Sequence, residues 1–526
     1  MRSPSFAQWR RIGAKRRAGV LAPLFSVYSK ESIGIGQFTD LVPLGEWARA
    51  AGLSIIQLLP LNEVGFGFCP YDSESSFALD PMYLNLTNLS GVSPGSFEKE
   101  IARLKTRFKI RPPSMDYRIK RAKLELLWKI FQKNPPSRDK TFQLYVETNA
   151  FWIRGYACYR VLKEHFNGRS WQEWPEEFRI RGQGAMSRLG KETAERVEFF
   201  QWLQWQSFNQ LAEVKRRLRS RRVLLMGDLP FLVSRDSADV WTHPEYFKLD
   251  LAAGAPPDRM FAKGQKWGMP PYRWDKIGSD RYAYLIQKIR YAGNFYGLFR
   301  VDHFVGLFRV WTVPLHEQAD KGVFDPPDET LWKKQGRQIL SVILKNTEML
   351  PCAEDLGTVP TCSPSVLKKF SVPGTEVQRW TKTDEGFRSP EDYRPNSMAV
   401  ISTHDLSALC AWWQSECDTA ERVLFWRALG LPGKPGRKCT PAFVEAALRH
   451  VNRSASVFSI QLLQDWLSLD QSKRMAFTRC RINIPGTVND KNWTLLLPCS
   501  LEEIGRLGIH DKIRKIVSET NRDEGN

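Results

Sequence analysis

Four short apolar runs, each closed by a carboxylate, limit what this chain can become more than any other feature. They are 223–230 with Asp228, 298–303 with Asp302, 348–357 with Glu354 and 398–405 with Asp405. Near-continuous apolar runs bounded by Gly and Pro read as strands buried on both faces, which is how strands of parallel sheets read. Parallel neighbours need long crossovers, and the intervening stretches are long enough to hold helices. In a closed parallel barrel every strand ends on one rim, so the four acids would converge there. One acid after a strand often does no more than cap the next helix. Four of them, two with an adjacent histidine (His303 and His404), point to a site.

At 526 residues the chain exceeds the roughly 250–300 residues of one simple core. The expected fold class is α/β, a (β/α)8 TIM barrel with helical insertions in the loops that follow its strands. Residues 1–88 would supply the first two strands, with a helix over 43–51 and a strand over 54–60. Residues 89–195 read as a mainly helical insertion: 118–133 and 195–219 carry apolar residues near a 3.6 period. Residues 196–517 would complete the barrel, with loop insertions, a helix over 282–291 and a last strand and turn within 456–467. The polar stretch 518–526 is expected to fray.

Net charge is +20, from 77 basic and 57 acidic residues. No base-reading basic helix, phosphate-cradling glycine loop or zinc-spaced Cys/His set accompanies it, so a basic solvated surface is expected and no nucleic-acid partner. Nine scattered cysteines argue for reduced thiols in a cytoplasmic setting, without a disulfide framework. No apolar run approaches the ~20 residues of a membrane helix, so no membrane association is expected. The basic N-terminus lacks the apolar segment of a signal peptide, and patterned sequence begins by Gly19.

Within 298–303, Arg300 and Asp302 are two apart and so share one face of a strand. A cation beside a carboxylate keeps it ionised, which a carboxylate nucleophile requires. Converging carboxylates over a sugar-sized cleft suit glycosidic chemistry, in which one acid forms a glycosyl ester and another moves the proton. Clustered Asp and His also serve metals, but the acids lie far apart in sequence and no H-E-x-x-H pattern exists. The loops around Tyr71, Asp258 and Trp267 leave strand ends, where barrel enzymes carry function.

Several of these pieces, in this order, carry a resemblance. Gly34-Ile35-Gly36, Pro70-Tyr71, Gly227-Asp228-Leu229-Pro230, Pro256-Pro257-Asp258, Gln265-Lys266-Trp267-Gly268, Arg300-Val301-Asp302-His303, Ala353-Glu354-Asp355-Leu356-Gly357, Thr403-His404-Asp405, Gln464-Asp465, Asn483-Ile484-Pro485-Gly486 and Asn492-Trp493 span the chain. The sequence thereby resembles the amylomaltases, the disproportionating 4-α-glucanotransferases of glycoside hydrolase family 77. The resemblance implies Asp302 as nucleophile, Glu354 as general acid/base and Asp405 as transition-state stabiliser. Arg300 would keep Asp302 anionic, Asp228 and His404 would bond the sugar beside the broken bond, and Tyr71, Asp258 and Trp267 would line subsites. His303 and Asn483 complete the implied substrate-binding set.

It further implies an α-1,4-glucan donor, a glucan or glucose acceptor, and neither cofactor nor metal. An α-amylase-type hydrolase on the same barrel is the alternative; a catalytically inert glucan binder is opposed by the intact acids. Cys69, Val305, Met260 and Ala262 depart from the family pattern, all in loops that would bind glucan.

Overall fold

The computed structural model describes residues 3–65, 67–180, 191–258, 261–383, 385–470 and 480–523. Eight parallel strands form one sheet in strict chain order: β1 (Arg17–Leu21), β2 (Ile55–Gln57), β3 (Leu224–Leu229), β4 (Leu298–Val301), β5 (Leu350–Ala353), β6 (Gly374–Val377), β7 (Ser397–Val400) and β8 (Phe458–Leu462). The last strand returns to the first, pairing Arg17 with Phe458 through Leu21 with Leu462. Between β5 and β6 the Ala353 N–H donates to the Pro373 carbonyl at 2.7 Å, which brings the remaining edges together. The result is the expected (β/α)8 barrel. Strands β1, β2, β5, β6, β7 and β8 are buried along their whole length, polar members such as Glu376 and Gln461 included.

Helix α1 (Leu41–Ala50) precedes β2. Between β2 and β3 the chain passes through α2 (Arg118–Lys133), α3 (Ala150–His165), α4 (Lys191–Ser220) and shorter helical turns. Their apolar faces join the barrel in one continuous core. The long loop after β3 holds the short helices Ala238–Thr242 and Trp274–Ser279, and its Pro/Gly-rich part contains strands. Leu251–Ala255 and Gln265–Lys266 pair with Val310–Pro314 and Val323–Asp325 in a small antiparallel sheet. Gly254 is obligatory there, because a Cβ would collide with the Gln265 carbonyl.

Three expectations change. Asp405 does not close its strand: β7 ends at Val400, and a turn separates the two. The chain beyond 518 does not fray at once, since the wholly buried Arg522 donates to the carbonyls of Asn452 (2.6 Å), Ser454 (2.7 Å) and Ser456 (2.7 Å). A polar sequence reads as solvated, yet one cation satisfies several strand-end and helix-end carbonyls at once. Finally, Cys410 and Cys439 form a disulfide with Cα atoms 5.4 Å apart, while the other seven cysteines are in no disulfide among the described residues. No helix among the described residues is long and apolar enough to cross a membrane.

Candidate active site

Register explains the centre of the site. In the β3–β4 ladder Asp228 lies directly opposite Arg300, and Asp302 follows two residues later on the same side. The Arg300 guanidinium Nη1 therefore donates to both Asp228 oxygens (2.8 and 2.9 Å) and to Asp302 Oδ1 (2.9 Å). Its Nη2 stands 3.7 Å from Glu354 Oε2, which β5 delivers from the other side. One cation thus touches three carboxylates. Burial acts to lower the Arg300 pKa, but Asp228, Tyr71, Asp302 and Glu354 outweigh it and raise it far above its ordinary value. Arg300 is permanently charged. Gly227 permits this packing, because Tyr296 lies where a Cβ would be.

The two rim acids differ in surroundings. Glu354 is largely buried, its Oε2 accepting from the His303 N–H (2.9 Å) and its Oε1 from the Leu356 N–H (3.2 Å). His303 adopts a left-handed backbone (φ 45°), which turns its N–H toward Glu354. Burial, with the Asp302 charge adding to it, pushes the Glu354 carboxyl up to about 8 against the pull of Arg300 and the two N–H donors. At neutral pH Glu354 holds a proton. Burial also lowers the His303 ring to about 4, which leaves it neutral.

Opposite stands a loop-borne group. The Asn483 side-chain amide donates to Asp405 Oδ1 at 2.7 Å, and His404 Nε2 lies 3.4 Å from Asp405 Oδ2. Tyr71 links the two halves: its hydroxyl donates to Asp228 Oδ2 at 2.7 Å, and its ring stacks on His404 with centroids 5.2 Å apart. Trp267 meets the His303 ring edge-on at 4.9 Å. Asp258 Oδ1 accepts from the Phe261 N–H at 2.6 Å in the same loop region.

These residues surround a cleft of about 980 Å³, at the upper end of the ~300–1,000 Å³ usual for ligand sites and so fit for a chain. Every candidate named from the sequence lines it except Asp228. That carboxylate is buried behind Arg300 and Tyr71, which occupy its oxygens. Of the departures from the family pattern, Cys69 and Val305 line the cleft, while Met260 lies outside the described residues. Sequence reasoning missed Arg379 and Arg481. Arg379 lines the cleft and donates to Ser402 Oγ and the Ser407 carbonyl; Arg481 donates to the Asp405 carbonyl at 3.2 Å. Arg379 follows β6 as the acids follow their strands, but Thr375, Glu376 and Gln378 break the apolar run that would have marked it.

A parallel barrel whose rim presents an arginine-bonded aspartate and a protonated Glu354 along a long, aromatic-lined cleft has the layout of a carbohydrate-active enzyme. Comparison with known proteins specifies it. A model of the family described as 4-alpha-glucanotransferase matches residues 22–500. A 4-alpha-glucanotransferase of Chlamydia pneumoniae is 36% identical over 528 residues, 98% of this chain and 97% of that one. Another, from Aquifex aeolicus, is 31% identical over 480 residues, 88% and 93% of the two chains. Two solved structures share the fold: an amylomaltase from Streptococcus agalactiae in complex with acarbose (TM-score 0.82, 24% identity, 97% of this chain and 100% of that one) and one from Corynebacterium glutamicum (TM-score 0.83, 22%, 98% and 76%). The chain belongs to the 4-alpha-glucanotransferase family, glycoside hydrolase family 77.

Proposed function

We propose that this 4-alpha-glucanotransferase moves α-1,4-glucan segments between maltodextrins, or onto glucose, by double displacement through Asp302. The observation that carries the reading is the shared guanidinium: Arg300 holds Asp302 at 2.9 Å, while Glu354, 3.7 Å from the same group, is pushed up to about 8. Asp302 attacks the anomeric carbon, and the bond from that carbon to the leaving 4-oxygen breaks as Glu354 gives that oxygen its proton. The acceptor 4-hydroxyl then loses its proton to Glu354 and attacks the glycosyl ester, which frees Asp302 and retains the α configuration. The cycle returns every proton, so it calls for no cofactor or metal. Asp405 and His404 grip hydroxyls of the donor sugar, and Asn483 aims Asp405. Asp228 acts from behind, fixing Arg300 and Tyr71, while Trp267 and Asp258 border the acceptor.

Transfer prevails over hydrolysis when an acceptor sugar displaces water from the ester. Maltotriose is therefore expected to yield glucose together with oligosaccharides longer than itself, resolved by chromatography. A steady gain of reducing ends with no longer product would turn the reading to a hydrolase. The compartment we propose is the cytoplasm, where burial of both Cys410 and Cys439 would shield their disulfide from the reductants of that compartment.

A further inference from the structure

Residues 61–80, the loop after β2, carry Tyr71 into the cleft, and the helices that follow in the chain grip that loop at its base. The loop doubles back on itself: the Glu63 N–H donates to Ala78 O (2.8 Å), the Glu74 N–H to Glu63 O (2.8 Å) and the Asp80 N–H to Leu61 O (2.9 Å). This fold collects three carboxylates, Glu63, Glu74 and Asp80, which are only 0%, 8% and 0% exposed. Buried carboxylates require partners, and the helices supply them. Lys120 of α2 donates to Asp80 Oδ2 at 2.8 Å and to the Val64 carbonyl, and lies 3.7 Å from Glu63. Arg160 of α3 donates to Glu74 and stands 3.4 Å from Glu63. One turn earlier Tyr156 donates to Glu63, and Gln204 of α4 bonds both peptide groups of Leu79 (2.8 and 2.9 Å). Tyr117, just before α2, stacks on Phe68 near the loop tip, and its hydroxyl donates to the Trp493 carbonyl.

We propose that Lys120 and Arg160 are positioning residues for glucan transfer, holding the 61–80 loop so that Tyr71 keeps its hydroxyl on Asp228 and its ring on His404. The inference rests on the reading of the cleft given above. It gives a role to the helices between β2 and β3, none of whose described residues lines the cleft. Lys120 and Arg160 are buried against carboxylates 40 and 86 positions away in sequence, so they are more than solvated decoration. Their anchor points flank the tip that bears Tyr71.

A double-mutant cycle on kcat/KM for maltotriose tests this. Arg160→Lys keeps the charge but shortens the fork, and Tyr71→Phe removes the hydroxyl from Asp228. Each single change is expected to lower kcat/KM by about 10-fold, and Arg160→Lys in the Tyr71→Phe background by no more than about twofold, because interacting sites are not additive. Losses that multiply, or an Arg160→Lys enzyme with unchanged kcat/KM, would overturn the proposal. Thermal unfolding is followed alongside. Should Arg160→Lys fail to fold, the isosteric Glu74→Gln takes its place in the cycle, and failure of both to fold would make the cluster purely structural and end the proposal. An Asp302→Asn control separates the two readings: if that variant retains turnover the nucleophile is wrong, whereas the cycle still reports whether Arg160 acts through Tyr71.

Discussion

The two halves of the cleft are built by different means. On one side Asp228, Arg300, Asp302 and Glu354 sit on strands or one residue beyond, and the ladder register alone sets their spacing. On the other, His404, Asp405 and Asn483 ride on loops, braced by Arg379 and Arg481. The Asp302 and Glu354 side chains are 24% and 16% exposed, against 41% for Asp405. The strand half fixes charge and protonation before substrate arrives, which is where preorganised electrostatics matter most. The loop half leaves carboxylate oxygens open for sugar hydroxyls to claim. In the proposed mechanism, bond exchange belongs to the first and grip to the second.

Mutations can break that division or sharpen it. Asp302→Asn keeps shape and removes the proposed nucleophile; kcat for maltotriose should fall on the order of 10⁵-fold, about 7 kcal/mol of barrier, with glucan still retained by affinity electrophoresis. Near-normal turnover would remove Asp302 from its role. Glu354→Gln should cost about 10²–10⁴-fold and abolish a feature of the pH profile. Because Glu354 is raised to about 8, the parent enzyme has it protonated below that pH and should lose activity as pH climbs through it. An alkaline limb that survives in the Gln variant would assign it to another group. Asn483→Ala, which takes one hydrogen bond from Asp405, should cost only about 10-fold in kcat/KM. A loss matching that of Glu354→Gln would give the loop half as large a share of the chemistry as the strand half.

The strand half was legible in the sequence because an acid behind an apolar run is a local signal, and a barrel turns several such signals into one place. Tyr71 was marked only by its place in a loop after a strand, and Asn483 came only with the family resemblance, since an aromatic or an amide in a loop looks like any other. The small sheet that walls the cleft was not legible. Its strands run from two to five residues, and the Pro-Pro beside Gly254 argues for a loop. Arg379 escaped because its strand, with Thr375 and Glu376, does not read as an apolar run, and Arg522 because its partners are backbone carbonyls, which leave no mark on composition. Cys410 and Cys439 are 29 positions apart, in surroundings that give neither a reason to pair.

Closure of the barrel by β8 against β1 has a bearing on how the protein is made. Arg17 waits for Phe458, and the Gly19 carbonyl waits for the Trp466 indole, which reaches it at 3.2 Å. During synthesis, which proceeds at ~5–20 residues per second, the first strand is therefore left with an unmatched flank until nearly the whole polypeptide has emerged from the ribosome. Open strand flanks invite intermolecular pairing. Asn483 emerges later still, so a nascent chain possesses all four of its rim acids well before it possesses a working cleft.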